Sequence, residues 1–185
     1  MEKRLEVLKT YKIYIGGKFP RTESGRYYKP INSKGQLLGN VCLSSRKDFR
    51  NAVVAARKAQ EPWAGRSAYN IGQILYRMAE NLEGAKSQFV DIIVQEEVVS
   101  EAKAKKQVEQ AIDRLIYCAG WSDKFQQIFS GVNPVSSSHF NFSMLEPTGV
   151  VSCLSEQSSN FLSLVTAIAN VIVGGNTIVI QAGEN

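Results

Sequence analysis

The chain has 185 residues, of which 44% are hydrophobic and 21% are charged, and its formal net charge is +5. This composition allows one ordinary packed domain and is not that of a disordered segment. No apolar run approaches the roughly 20 residues that a membrane span needs, and the charged beginning MEKRLEVLKTYK lacks the apolar core of a secretory signal. We therefore expect a cytoplasmic protein with no membrane partner.

The cysteines, the histidine and the densest lysine run indicate neither a metal site nor a nucleic-acid partner. Cys42, Cys118 and Cys153 lie far apart in the sequence and lack the paired spacing of a disulfide framework or zinc site. We therefore expect them to be reduced thiols. His139 is the single histidine and adds no ligand set. The lysine run KAKK at 103–106 has no interleaved aromatic residues, so we expect a solvated helix face.

Short strands and turns are predicted for residues 11–43. The segment YKIYIGGKF at 11–19 alternates apolar and polar residues on both sides of a Gly-Gly turn. Further turns are expected at 23–25 and 33–35, and a short strand near 38–43. The pattern predicts a β-hairpin or short meander.

Four amphipathic helices are predicted between residues 45 and 120. Their apolar residues recur at helical spacing, so we expect these stripes to form core and not a cofactor site. The third helix is expected to bury Phe89, Ile92 and Ile93 on one side. The predicted boundaries are Ser45, with Asp48 in a capping box, to Pro62; Ser67 to Gly84; Ser87 onward; and about Glu101 to Ala119, stopped by Gly120.

The last part of the chain is predicted to be a strand–helix–strand unit. The runs GVVSCL and TIVIQA are continuously apolar, which is typical of parallel strands buried on both faces, and the helix between them is placed at Asn160 to Val173. Gly174 and Gly175 would end this helix and let it pack closely on the sheet. Because two parallel strands cannot cover their own faces and edges, we expect a piece of something longer or a partner chain that completes the sheet.

Several segments, in this order, resemble the aldehyde dehydrogenase superfamily: YIGGKF, INSKGQLLGNV, DFRNAVVAARKAQEPWAG, AIDRLIYCAGWSDK, NFSMLEPTGVV and GGNTIVIQAGE. The resemblance covers residues 11–185 and corresponds to the N-terminal part of a member. KTYKIYIGGKFPRTESGR is similar to the non-standard branch that contains the degenerate second half of the aldehyde dehydrogenase 16 family. The resemblance implies an α/β fold with a β-hairpin arm, helices and the first βαβ unit of a Rossmann-like sheet.

The resemblance also implies a division of the chain into two parts. Residues 1–148 would hold an oligomerisation arm, with arm strands at about 11–31 and 139–146, and helices at 45–120. Residues 149–185 would form the first βαβ unit of an incomplete NAD-binding domain. An arm of this kind implies a homo-oligomer or a partner subunit of the same superfamily.

Two departures from the family pattern fall at positions that would meet the cofactor or substrate. Members follow the first buried strand with Pro-Trp-Asn-Phe-Pro, whose Asn amide donates a hydrogen bond to the oxyanion. This chain reads EQSSN there, with Ser158 at the donor position, and Asn160 would serve only if the turn were rebuilt by two residues. The ribose-binding Lys and Glu of the family correspond to Gln181 and Glu184. The resemblance therefore implies cofactor-binding positions Ser158, Gln181 and Glu184.

The chemistry of these positions favours NAD and a weakened site. Gln181 can donate and accept hydrogen bonds but supplies no charge. Glu184 beside a ribose 2′-oxygen would disfavour a 2′-phosphate, so NAD is expected and not NADP.

The predicted function depends on which of the family's functional residues fall within this chain. The family's catalytic cysteine, general base and glycine motif lie beyond residue 185, and Cys118 and Cys153 fall in elements where thiols are inert. We expect an NAD-dependent oxidoreductase, aldehyde to acid, represented by its N-terminal part, with no catalytic residue of its own and no activity alone. The alternative is a non-catalytic pseudo-enzyme that acts as a structural or assembly subunit.

Overall fold

The computed structural model describes residues 8–156 and 158–183. Its strands and helices, in chain order, are β1 (Thr10–Tyr11), β2 (Tyr27–Tyr28), β3 (Asn40–Cys42), α1 (Arg46–Ala64), α2 (Ala68–Gly84), α3 (Lys86–Glu97), α4 (Glu101–Ala119), α5 (Phe125–Phe129), β4 (Gly131–Val132), β5 (Phe142–Ser143), β6 (Val150–Leu154), α6 (Phe161–Val173) and β7 (Thr177–Gln181). This mixture confirms the predicted α/β class. Among the helices of the described ranges, none combines the length and apolarity required to traverse a bilayer.

A small three-stranded sheet opens the chain, with β3 at its centre. β1 pairs with β3 in parallel and β2 pairs with it antiparallel. The predicted Gly-Gly turn is present: Gly16 and Gly17 both have positive φ, and Ile15 and Lys18 exchange two backbone hydrogen bonds across it. Residues 10 and 11, however, pair with the distant β3, so the sheet is not a simple meander of successive strands.

Helix α1 has the predicted start but not the predicted end. The Ser45 hydroxyl accepts from the Asp48 N–H, and the Asp48 carboxylate accepts from the Ser45 N–H, so the capping box is formed. The prediction that Pro62 ends the helix is wrong, because α1 continues through it to Ala64. A tertiary contact holds the last turn in place: the Trp63 indole N–H donates to the Ile172 carbonyl at 3.1 Å.

The core is built where α2, α3 and α6 pack around α4. The bounds of α4 agree with the prediction. The residues that helical spacing predicts to face inward are all buried, namely Val108, Ala111, Ile112, Leu115 and Ala119. Leu75 from α2 and Ala169 from α6 are fully enclosed against them. The buried residues of α4 are Ala104, Gln107, Val108, Ala111, Ile112, Leu115, Cys118 and Ala119.

Helix α3 differs from its prediction in its start and in one of the three residues expected on its buried side, because Ile93 is buried and Phe89 is partly buried. It begins at Lys86, directly after the Ala85 that ends α2, so Ser87 lies inside the first turn and does not cap it. Val90 and Ile93 form the buried side, whereas Ile92 is 48% exposed. Contact with α4 decides the face, since the apolar run at 92–94 fits more than one helical stripe.

The chain ends in the predicted strand–helix–strand unit. β6 and β7 pair in parallel, in register from Val150 with Thr177 to Leu154 with Gln181. The expected burial on both faces is not reached: most strand residues are only half-buried, Ser152 and Gln181 are exposed, and Leu154 is 76% exposed. Within the described chain, α1 and α6 are the helices with the main contacts to this pair.

The remaining strands form a separate antiparallel ribbon. β4 pairs with β5 through Gly131 with Ser143 and Val132 with Phe142, and all four residues are exposed. The strand predicted near residues 139–146 therefore exists as β5, although it lies in a different sheet from β1–β3. Its role as part of an oligomerisation arm stays a prediction.

Candidate functional site

The carboxyl ends of β6 and β7 bring two chain segments together at one edge of the parallel pair. The turn after β6 leads into α6, and residues 182–183 follow β7, which ends at Gln181. The Ser155 N–H donates to the Gln181 carbonyl at 3.0 Å, so the start of the turn is fastened to the end of β7. In open parallel sheets, ligands bind outside this edge of the strands.

Ser158 lies in the turn with an exposed side chain. Its hydroxyl is 3.5 Å from the Oε2 of Glu156, and the Ser159 N–H donates to the Glu156 carbonyl at 3.0 Å. The hydroxyl is thus directed at a carboxylate of its own turn, which weakens it as a donor toward a developing negative charge. Gln157, between them, lies outside the described residues.

Asn160 is the N-cap of α6. Its Oδ1 accepts from the Ser163 N–H at 3.0 Å and from the Ser163 hydroxyl at 3.1 Å, which satisfies a free N–H of the first helical turn. The prediction that the helix begins at Asn160 is therefore wrong by one residue, and the Asn-x-x-Ser spacing is the sequence signal of the capping role. The cap holds the amide oxygen of Asn160 at the start of α6, two residues after Ser158.

The structure describes one of the two cofactor positions predicted at the end of β7, Gln181, and not the other. Gln181 is the last residue of β7 and its side chain is exposed at the carboxyl edge, beside the turn that carries Ser158. Glu184 lies outside the described residues. The structure therefore brings the Ser158 and Gln181 segments to one edge, and their roles there stay predictions.

The three thiols lie within secondary-structure elements. Cys118 is buried, its thiol donates to the Asn170 Oδ1 at 3.3 Å, and burial raises its pKa, against a smaller opposite effect of Arg114. Cys153 is half-buried in the middle of β6, opposite Ile180, and Cys42 is half-buried in β3. In the described ranges, no group of three or more His, Cys, Asp or Glu side chains is placed to hold a metal ion.

A shallow cavity of about 360 Å³ opens at the far end of α6 from the turn. Aromatic and aliphatic side chains line it, with the Asn170 amide as a polar member. Its α6 residues come nine or more positions after Phe161, which puts them about 14 Å or more along the helix axis. The cavity is therefore not part of the carboxyl-edge site. Its lining residues are Tyr117, Cys118, Trp121, Phe125, Phe129, Leu145, Asn170, Val173 and Gly174.

The fold and its carboxyl edge define a class of protein: an α/β chain whose parallel strand–helix–strand unit is the kind used in Rossmann-like nucleotide sites. The sequence profile of the Aldehyde dehydrogenase family matches residues 19–185. The chain belongs to the aldehyde dehydrogenase family.

Related sequences cover nearly the whole chain. It is 28% identical over 187 residues to the cytosolic 10-formyltetrahydrofolate dehydrogenase of Mus musculus, which covers 98% of this chain and 21% of that protein. It is also 28% identical over 179 residues to the D-glyceraldehyde dehydrogenase (NADP(+)) of Thermoplasma acidophilum, covering 94% of this chain and 35% of that protein. The chain thus spans about a fifth to a third of the length of these relatives.

Solved structures share the fold. The NAD+ complex of aldehyde dehydrogenase from Bacillus cereus matches with a TM-score of 0.86 at 24% identity, over 93% of this chain and 35% of that one. A salicylaldehyde dehydrogenase from Pseudomonas putida G7, complexed with salicylaldehyde, matches with a TM-score of 0.88 at 17% identity, over 95% and 36%. These matches confirm the predicted fold of the N-terminal part of an aldehyde dehydrogenase. The finer resemblance to the aldehyde dehydrogenase 16 branch stays a prediction.

Proposed function

We propose that the chain supplies the arm, the helical layer and the first part of the NAD site of an oxidoreductase that converts an aldehyde to an acid. The observation that carries this proposal is the carboxyl edge of β6 and β7, where the Ser155–Gln181 hydrogen bond joins the turn to the end of β7. Family membership and an NAD+ complex among the fold neighbours support it. We also propose a cytoplasmic location; the names of relatives include cytosolic and mitochondrial proteins.

The residues at this edge fit a cofactor through neutral hydrogen bonds. Ser158 and Gln181 are both exposed there, so a hydroxyl and an amide face solvent on adjacent segments. We assign Ser158 to the oxyanion-donor position and Gln181, with Glu184, to the ribose. NAD, when bound, supplies the hydride acceptor. The pair provides no cation to replace the family lysine, so we expect weak attraction for the phosphates.

We propose that the chain has no dehydrogenase activity alone. Thiol addition to an aldehyde needs an accessible thiolate with a nearby base or cation. The Cys118 thiol is buried with a raised pKa, and Cys153 is held within a strand. Neither thiol lies in the turn that contains Ser158.

One observation favours the alternative, a non-catalytic structural or assembly subunit. The Glu156 carboxylate, 3.5 Å from the Ser158 hydroxyl, would oppose negative charge developing at the donor position. A site under selection for oxyanion stabilisation would be expected to keep an acid away from that donor. Such a subunit would keep the fold and the oligomerisation arm and would not catalyse aldehyde oxidation.

Calorimetric titration with NAD, together with absorbance assays for NADH, tests both proposals. We expect no binding tighter than about 1 mM, which corresponds to about 4 kcal/mol, and no NADH from a panel of aliphatic and aromatic aldehydes. Gln181→Lys should tighten binding about two- to fivefold by restoring a charge-assisted hydrogen bond. The matched control Gln88→Lys, an exposed change on α3, should leave affinity unchanged.

Three outcomes would decide against parts of this account. A micromolar dissociation constant would show that the chain, or a dimer of it, completes the site. Equal effects of Gln181→Lys and Gln88→Lys would remove Gln181 from the cofactor site. NADH formation that Cys153→Ser abolishes would make Cys153 a nucleophile and would exclude the purely structural subunit.

A further inference from the structure

Charge is distributed unevenly along this chain. Residues 8–58 contain twelve lysines and arginines and two acidic residues, whereas residues 59–185 contain eight basic and thirteen acidic residues. The formal net charge of +5 hides this separation. We propose that the surface formed by residues 8–58, termed here the arm–α1 surface, binds single-stranded nucleic acid. The proposal is independent of the proposed dehydrogenase function.

The arm and α1 form one continuous surface. The Gly-Gly turn rests on α1, where a Cβ added at Gly16 would lie 3.4 Å from the Cβ of Ala55. The Asp48 carboxylate of α1 accepts from the Thr22 hydroxyl and from the Glu23 N–H. These contacts hold the segment that carries Lys12 and Lys18 against α1, so its charges and those of α1 belong to one packed unit.

The positive charge of this surface is exposed, and its acidic groups are already occupied. Every lysine and arginine of residues 8–58 has an exposed side chain. Glu23 forms an ion pair with Lys47. Asp48 is buried, and its carboxylate accepts hydrogen bonds from Thr22 and Glu23. Among the described ion pairs, Lys47 is the one basic member of this surface to take part. The remaining charges face solvent and fit a polyanion.

Exposed aromatic rings are interleaved with these charges. Tyr14 and Phe19 are 66% and 64% exposed, and their ring centroids lie 5.3 Å apart on either side of the Gly-Gly turn. Lys12 and Lys18 are close to them in the sequence. Unpaired bases stack on such rings, and phosphates lie along the neighbouring cations. The sequence-based expectation of no nucleic-acid partner depends on the lysine run at residues 103–106. That run has no interleaved aromatic rings.

The same features argue against a lipid surface and against a duplex. Helices that lie in a membrane interface need a wide apolar face beside their basic one, but α1 is joined to α6 and β7 through Trp63 and Gln60. Paired bases are not available to stack on side chains, so the Tyr14–Phe19 pair favours single strands. We therefore commit to a single-stranded polyanion with free bases.

Fluorescence anisotropy with a labelled oligouridylate of about 20 nucleotides tests the proposal on the full chain. We expect saturable binding at about 50 mM salt that weakens steeply as salt rises, because counterions are released. Lys12→Glu combined with Lys18→Glu should weaken binding at least tenfold. The charge-matched control, Lys105→Glu with Lys106→Glu on α4, should change it less than threefold. Far-UV circular dichroism verifies that all variants fold.

Tyr14→Ala with Phe19→Ala tests stacking separately from charge. We expect about tenfold weaker binding with the salt dependence retained; the control is Tyr69→Ala with Tyr76→Ala, two exposed tyrosines of α2. Absence of binding at low salt, or equal losses in the two lysine pairs, would overturn the proposal. So would equal affinity for a duplex, or binding to phosphatidylserine vesicles without binding to oligouridylate.

Discussion

Asp48 is the residue whose electrostatics are most strongly altered by the fold. Burial alone would raise its pKa, but hydrogen bonds from the Thr22 hydroxyl, the backbone of Ser45 and Glu23, and the Ser45 hydroxyl lower it to about 2, from an ordinary value of 3.8. The ionised carboxylate is therefore the form that closes the capping box and fastens the arm to α1.

The first prediction concerns acid stability. Because the folded pKa of Asp48 lies below its unfolded value, its contribution is fully present above about pH 4 and is lost as pH falls through about 2. Asp48→Asn should destabilise the protein at pH 7 by about 1–2 kcal/mol and reduce the loss of stability between pH 4 and pH 2. Urea unfolding at several pH values measures both effects.

Asp113→Asn, an exposed change on α4, is the matched control. It should leave the urea midpoint at pH 7 nearly unchanged. If Asp48→Asn kept the full acid sensitivity of the natural chain, the hydrogen bonds to this carboxylate would not be the source of the pH dependence.

At the scale of elements, the side chains of Gln60 and Thr177 join α1 to β7. The Gln60 amide donates to the Gly175 carbonyl at 3.0 Å, and its oxygen accepts from the Thr177 N–H at 2.9 Å. A side-chain amide thus pairs with the backbone at the start of β7 as a neighbouring strand would. This contact sets the position of α1 on the parallel pair.

The second prediction removes that contact. Gln60→Ala would leave a partly buried N–H and carbonyl without their partner, at a cost of about 1–3 kcal/mol in the free energy of unfolding. Gln73→Ala, which loses an exposed hydrogen bond to Tyr69 on α2, should cost much less. Chemical denaturation of both variants checks the difference, and equal losses would contradict the strand-like role of Gln60.

The third prediction concerns the turn between α6 and β7. Gly175 has a φ of +77°, and a Cβ there would lie 2.9 Å from the Cγ of Pro147. Gly175→Ala should therefore destabilise the protein by about 1–3 kcal/mol. Gly84→Ala, at the end of α2 with open space around it, should be neutral or slightly stabilising. Thermal unfolding compares them, and a stable Gly175→Ala variant would refute the close approach.

At the scale of the whole molecule, the β4–β5 ribbon exposes large apolar side chains. Phe140 is 72% exposed, its ring lies 5.5 Å from that of Phe142, and Val132 and Met144 are exposed beside them. A two-stranded ribbon has two open edges, and natural proteins cover such edges. The ribbon is therefore expected to be covered by another chain.

The fourth prediction is self-association at micromolar concentration, measured by size exclusion with light scattering. Phe140→Ser with Phe142→Ser should shift the protein toward monomer, because it removes the aromatic pair from the ribbon. Tyr69→Ser with Tyr76→Ser is the control on α2. A monodisperse monomer of the natural chain would contradict the prediction.

Local signals in the sequence determined much of the fold. The Ser45 and Ser67 caps, the span of α4 and the order of the last strand–helix–strand unit follow from capping chemistry and apolar spacing, which act over a few residues. The family resemblance, carried by short segments such as AGWSDK, also needed no structure. Local patterns failed at Pro62 and Ile92, where contacts with α6 and α4 outweigh local preference.

Only the tertiary structure decided which distant residues meet. The sequence by itself gave Ser158 and Gln181 as candidates through resemblance; the parallel register of β6 with β7 and the Ser155–Gln181 hydrogen bond bring their segments to one edge. The tertiary structure also joins residues 8–43 to α1 through Asp48. Two separate segments of the sequence therefore form one basic surface. These contacts join residues that are far apart in the sequence, so the spacing of neighbouring residues does not predict them.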